Sequence, residues 1–141
     1  MKNFLLVFAL LSILVSCKKD DPDPEPETPD YADQLVGTYM GEERYYDTDK
    51  TTILHSNASK TITIAKVEKN KIQISTFHSG ASPLFTLSDG GNGTINIVAQ
   101  SPNANDGSFA GANKYTVSSK ALFIFFKSAI NKYTYFTGDK Q

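Results

Sequence analysis

Two histidines, one cysteine, a pair of adjacent glutamates and an Asp-Thr-Asp run are the residues of this chain that could do chemistry. His55 and His78 could hold a divalent metal with a carboxylate such as Glu42, Glu43 or Asp47 beside them. No H-x-H or H-x-x-x-H spacing supports that, and both read as loop-edge histidines at strand ends. Glu42 and Glu43 are neighbours, so on a strand they point to opposite faces and cannot act as one acid pair. Asp47-Thr48-Asp49 opens like an oxygen-rich calcium loop, but the glycine and the distal bidentate glutamate of such a loop are missing. Gly90, Gly91 and Gly93 would need a following helix to cradle a phosphate, and they read instead as a hairpin turn. No serine stands in a G-x-S-x-G elbow. The expectation is a protein without catalysis, metal or cofactor.

Cys17 is the sole cysteine, and its surroundings give it a role. Lys2 supplies a positive end, and Phe4 to Val15 form an apolar run that is too short for a membrane-spanning helix of about 20 residues. Leu14-Val15-Ser16-Cys17 resembles the lipobox of bacterial lipoproteins, L-[VAST]-[SAG]-C. The resemblance implies that residues 1–16 are a signal peptide, and that the Cys17 thiol carries a diacylglycerol with palmitate-like chains and anchors the protein to a membrane. With its one thiol lipidated, the exported domain has neither a disulfide nor a cysteine-type zinc site, so its stability must come from its core.

Lys18 to Asp33 alternates proline with acid, which disfavours helix and removes the donors a sheet needs. Residues 17–34 therefore read as a lipidated, extended, disordered spacer. Lys19-Asp20-Asp21 resembles the K-[DE]-[DE] export signal of Bacteroidetes lipoproteins, which implies an outer-membrane protein facing the cell surface; the periplasmic leaflet is the alternative. Seven acids fall between Asp20 and Asp33, whereas from Val36 onward eleven Lys and Arg face eight Asp and Glu. The net charge of −1 thus joins an acidic tail to a weakly basic domain. Nothing gathers the surplus into the dense patch that nucleic acid requires.

The elements that must position these residues begin at Leu35, where the composition turns to Thr, Ile, Tyr, Phe and Gly. Val36 to Tyr46 opens the domain, and Thr51 to His55 reads as a short strand. Thr61 to Val67 and Ile72 to Phe77 alternate apolar and polar residues and form a hairpin through Glu68-Lys69-Asn70-Lys71. Leu84 to Leu87 and Thr94 to Ala99 flank a turn at Asp89 to Gly93. The irregular stretch Ser101 to Asn113 precedes strands at Lys114 to Ser118, Ala121 to Lys127 and Asn131 to Thr137. The reading is all-β: an antiparallel up-and-down β-barrel of about eight strands over residues 35–141, without helices. Ala121 to Lys127 is apolar on both faces, so one row, Leu122, Ile124 and Phe126 or Ala121, Phe123 and Phe125, needs a cover. A loop of the protein itself, a second copy or a partner would serve.

Val36-Gly37-Thr38-Tyr39-Met40-Gly41, together with Phe136-Thr137-Gly138-Asp139-Lys140 at the far end, resembles the lipocalin-like, or calycin-like, lipoprotein domains of Bacteroidetes. Tyr39 stands where the lipocalin G-x-W pattern has its tryptophan. The resemblance implies ligand binding or protein contact. Tyr39, Tyr115, Tyr133 and Tyr135, each an apolar ring with a polar tip, are the candidates for lining a pocket. The function expected is binding of a small apolar ligand or of an envelope protein through the open end. The alternative is a non-catalytic accessory or inhibitor subunit that docks through the apolar strand and loops.

Overall fold

The structure, a computed structural model, describes residues 27–100, 104–105, 113–129 and 131–141. The expected signal peptide, Cys17, Lys19-Asp20-Asp21 and most of the Ser101 to Asn113 stretch lie outside the described residues.

After a short helix α1 (Ala32–Leu35), the chain runs through β1 (Gly37–Tyr46), β2 (Ile53–Glu68), β3 (Lys71–Ser75), β4 (Leu84–Gly91) and β5 (Thr94–Ala99). A two-residue β6 (Ala104–Asn105) precedes β7 (Lys114–Thr116), β8 (Ala121–Ala129) and β9 (Lys132–Lys140). β6 aside, each strand pairs antiparallel with the next in sequence, and β9 pairs with both β8 and β1. The result is an all-β sheet in which eight antiparallel strands close into a ring. β6 lies against β8 beyond the end of β7.

The alternation read from the sequence is the alternation of burial. Ile62, Ile64, Ile72, Ile74, Ile95 and Ile97 all point into the ring and are buried. Tyr39, Phe77, Phe85, Tyr115, Leu122, Ile124, Phe126 and Phe136 complete the filling, and each such apolar side chain contributes about 1.5–3 kcal/mol. Phe126 packs on Phe77 and Phe85 at centroid distances of 5.3 and 5.6 Å. These inward side chains leave almost no surface to water, so the middle of the ring is packed rather than hollow. Tight connections carry left-handed residues suited to turns: Asn70 between β2 and β3, Asn92-Gly93 between β4 and β5, and Lys120 between β7 and β8.

Three expectations change. The strands expected at Thr51 to His55 and Thr61 to Val67 are one 16-residue strand, β2, because a bulge lets it continue past the point where its alternation breaks. The segment expected as spacer up to residue 34 is folded from Asp30 onward, and Ala32 and Leu35 of α1 are fully buried in the core. Asp30 holds it there: its Oδ1 accepts the N–H groups of Ala32 (3.0 Å) and Asn70 (3.1 Å), while Asn70 Oδ1 accepts the N–H of Tyr31 (2.8 Å). Lys66 Nζ adds ion pairs to Asp30 and Asp33, both at 2.7 Å. Finally, the second apolar row of β8 is covered in part by its own sheet. Phe125 is fully buried on the outer side, with its ring stacked on Tyr133 (5.6 Å) and edge-on to Tyr46 (6.1 Å).

Helix α1 seals one end. The Tyr39 hydroxyl donates to the Leu35 carbonyl at 2.8 Å, satisfying a group the helix terminus leaves open. The short turns after β2, β4 and β7 share that end. By the alternation of an up-and-down sheet, β1, β3, β5 and β8 end at the other.

Candidate functional site

Charge enters the ring at this second end. On β1 the pleat sends Tyr39, Gly41, Glu43 and Tyr45 inward and Glu42, Arg44 and Tyr46 outward. Glu42 and Arg44 pair on the outer surface at 2.7 Å. Glu43 is completely buried.

The partner strand brings two further groups to Glu43 through an irregularity. Gly41 lies opposite Lys60, but Glu43 lies opposite Asn57, so β2 spends three residues where β1 spends two. An extra residue in a period-2 strand reverses which side chains face in. Before the bulge His55 joins the inner side opposite Tyr45, and after it Lys60 stands inward in line with Ile62 and Ile64. Lys60 Nζ reaches to 3.5 Å from Glu43 Oε2.

The third contribution comes from the β3–β4 connection. Thr76 holds a left-handed backbone at φ 75°, unusual for a β-branched residue, and its hydroxyl is tied to the Thr61 carbonyl at 3.0 Å. That kink drops Phe77 into the core and presents the His78 N–H to Glu43 Oε1 at 2.7 Å. The His78 ring lies flat on His55, centroids 3.7 Å apart and planes within 7°, and Tyr45 meets it edge-on at 5.8 Å. Thr134, fully buried on β9, faces Ser79 across 3.4 Å.

This constellation can hold charge and stack flat groups. Parallel stacking aims the two imidazoles side by side instead of at a common point, and among the described residues no three His, Cys, Asp or Glu side chains could share a metal ion. Among the described residues, neither imidazole is hydrogen-bonded to a hydroxyl, the contact a serine nucleophile needs.

The four tyrosines expected to line a pocket fall on two sides of the sheet. Tyr39 and Tyr115 meet edge-on at 6.2 Å inside the sealed end. Burial, then the neighbouring Tyr115, pushes the Tyr39 phenol far above its ordinary pKa, and burial raises that of Tyr115. Tyr133 and Tyr135 point outward, because Thr134 and Phe136 between and beside them point in. There Tyr135 meets Phe123 at 5.2 Å and lies under the Arg44 guanidinium at 5.6 Å, while Lys50 sits 5.0 Å over Tyr133. The four cannot share one pocket. Asp47 and Asp49 are engaged within their own turn and by Lys132: Asp49 accepts the N–H groups of Thr51 and Thr52, and Asp47 those of Thr48 and the Lys132 ammonium.

No family model, no curated protein and no solved structure matches this chain.

Of the residues at the loop-bearing end, Glu43 was within reach of the sequence. Counting by twos from a buried Tyr39 places it inside. Lys60 was as well, in step with Ile62 and Ile64; His55 was not, because the bulge that turns it inward has no sequence signal.

Proposed function

We propose that this protein is a lipid-anchored envelope binding module, non-catalytic, that holds its ligand or partner at the loop-bearing end of the ring. The reading of Cys17 as the acylated anchor rests on the lipobox-like residues around it. The sequential up-and-down order, the helix that seals one end and the Gly37-Thr38-Tyr39 entry to β1 support a lipocalin-like barrel. The observation that carries the binding reading is the contrast along the ring axis. Apolar side chains pack the middle, and a buried carboxylate, a lysine and two stacked imidazoles occupy the loop-bearing end. Binding therefore takes place at that end and over its loops, with a shallow ligand or an inserted partner segment, and not deep among the isoleucines.

Native mass spectrometry of the protein extracted from its own envelope tests this. A retained small molecule or protein is expected, and Tyr45→Ala with His55→Ala should release it while the fold persists. A retained species indifferent to both substitutions would overturn the reading.

The outer aromatic row supports the second reading, an accessory subunit docking through the apolar strand. Phe123 and Tyr135 remain partly open to solvent beside buried Phe125.

A further inference from the structure

Glu43 is a charged group with no surface in water, and such a group requires counter-charge and hydrogen bonds. Among the described residues only one of its oxygens has a hydrogen bond, that from the His78 N–H. Oε2 is buried and accepts none; it faces Lys60 Nζ at 3.5 Å, well beyond the ~2.7–2.9 Å of a charge-assisted bond. The lysine is close enough to neutralise the carboxylate and too far to bond it. Its side chain keeps 20% of its surface exposed and can withdraw to water along a flexible stem. Resting on the binding reading above, we propose that Glu43 is the receiving carboxylate for a ligand bearing a primary ammonium group, and that Lys60 is the internal cation this ligand displaces.

The chemistry of the site selects among cations. A guanidinium fork engages both oxygens of a carboxylate, and here Oε1 is already committed to the backbone of His78. A quaternary ammonium has no N–H to give, so Oε2 would stay unbonded. A compact ammonium with rotatable donors meets the single open oxygen. The rings of Tyr45, His55 and His78 beside it suit the carbon chain that carries the charge.

The test is calorimetric titration of the lipidated, full-length protein in detergent micelles with n-pentylamine, 1-pentanol, pentylguanidine and pentyltrimethylammonium. Pentylamine should bind at least about tenfold more tightly than the other three. Glu43→Gln, whose amide oxygen can still accept the His78 N–H, should lose at least about tenfold in amine affinity. Lys60→Met removes the competitor, so amine affinity should rise by about tenfold, and pentylamine should raise the melting temperature of this variant more than that of the wild type. Equal binding of amine and alcohol, absence of amine binding in both wild type and Lys60→Met, or weaker binding by Lys60→Met would each overturn the proposal. Should Glu43→Gln fail to fold, the Lys60→Met comparison decides alone. A species retained from the envelope that depends on Tyr45 and His55, with no affinity for pentylamine, would overturn the ammonium assignment and leave the binding end standing.

Discussion

Gly41 lies directly opposite Gly138 where β1 meets β9, and neither position has room for a methyl group. A Cβ on Gly41 would come within 2.0 Å of the Thr137 carbonyl oxygen, and one on Gly138 within 2.5 Å of that of Met40. The atoms in the way are backbone and cannot rotate aside. The two short stretches that suggested a lipocalin-like domain thus touch each other at the seam that closes the ring.

Gly41→Ala and Gly138→Ala should each cost about 3 kcal/mol or more. Urea denaturation of purified protein measures this. Gly80→Ala, where a Cβ meets nothing within 4 Å and only the positive φ is strained, is the control and should cost about 1 kcal/mol.

Asp30 gives the fold a signature in acid. The Lys66 ammonium first, then the Asn70 N–H, hold its carboxyl down at about 2, against an ordinary 3.8. A carboxylate whose pKa is lower folded than unfolded lends stability that is complete above the unfolded value and is lost as pH falls through the folded one. The melting temperature should therefore drop between about pH 4 and pH 2. Asp30→Asn should flatten that part of the profile and lower the plateau above it.

Both faces of β8 should prove structural at their centre. Phe126→Ala empties space between Phe77 and Phe85, and Phe125→Ala strips the ring from between Tyr46 and Tyr133; each should cost about 3 kcal/mol or more. Phe123→Ala, partly exposed, should cost about 1 kcal/mol. Equilibrium unfolding of the three variants checks the order.

Cys17→Ser should move the protein from the membrane pellet to the soluble fraction, since lasting attachment needs two or more acyl chains at about 0.8 kcal/mol per buried CH2. Protease added to intact cells should digest the wild type if it faces outward.

The parts of the fold legible in the sequence are those where burial follows a period of two without interruption. Ile62 and Ile64, Ile72 and Ile74, Ile95 and Ile97, and Leu122, Ile124 and Phe126 all point where alternation sends them. What alternation could not reveal depends on events that break or precede it. The bulge between Asn57 and Lys60 is a shift of register, and a shift leaves no mark in residue type. Helix α1 is four residues long, below any helical repeat, and exists because Asp30, Asn70 and Lys66 hold it against the ring. The outward direction of Tyr133 and Tyr135 was open to counting, but chemistry rather than parity chose them as pocket residues.

The pairing of β1 with β9 also bears on when such a chain can finish folding. Half the ladder partners of β1 arrive only with the final strand, so the ring cannot close until nearly the entire domain has been synthesised. Once the last strand docks, β1 and β9 are each paired on both sides, and neither is left as a bare edge on which another chain could add a strand.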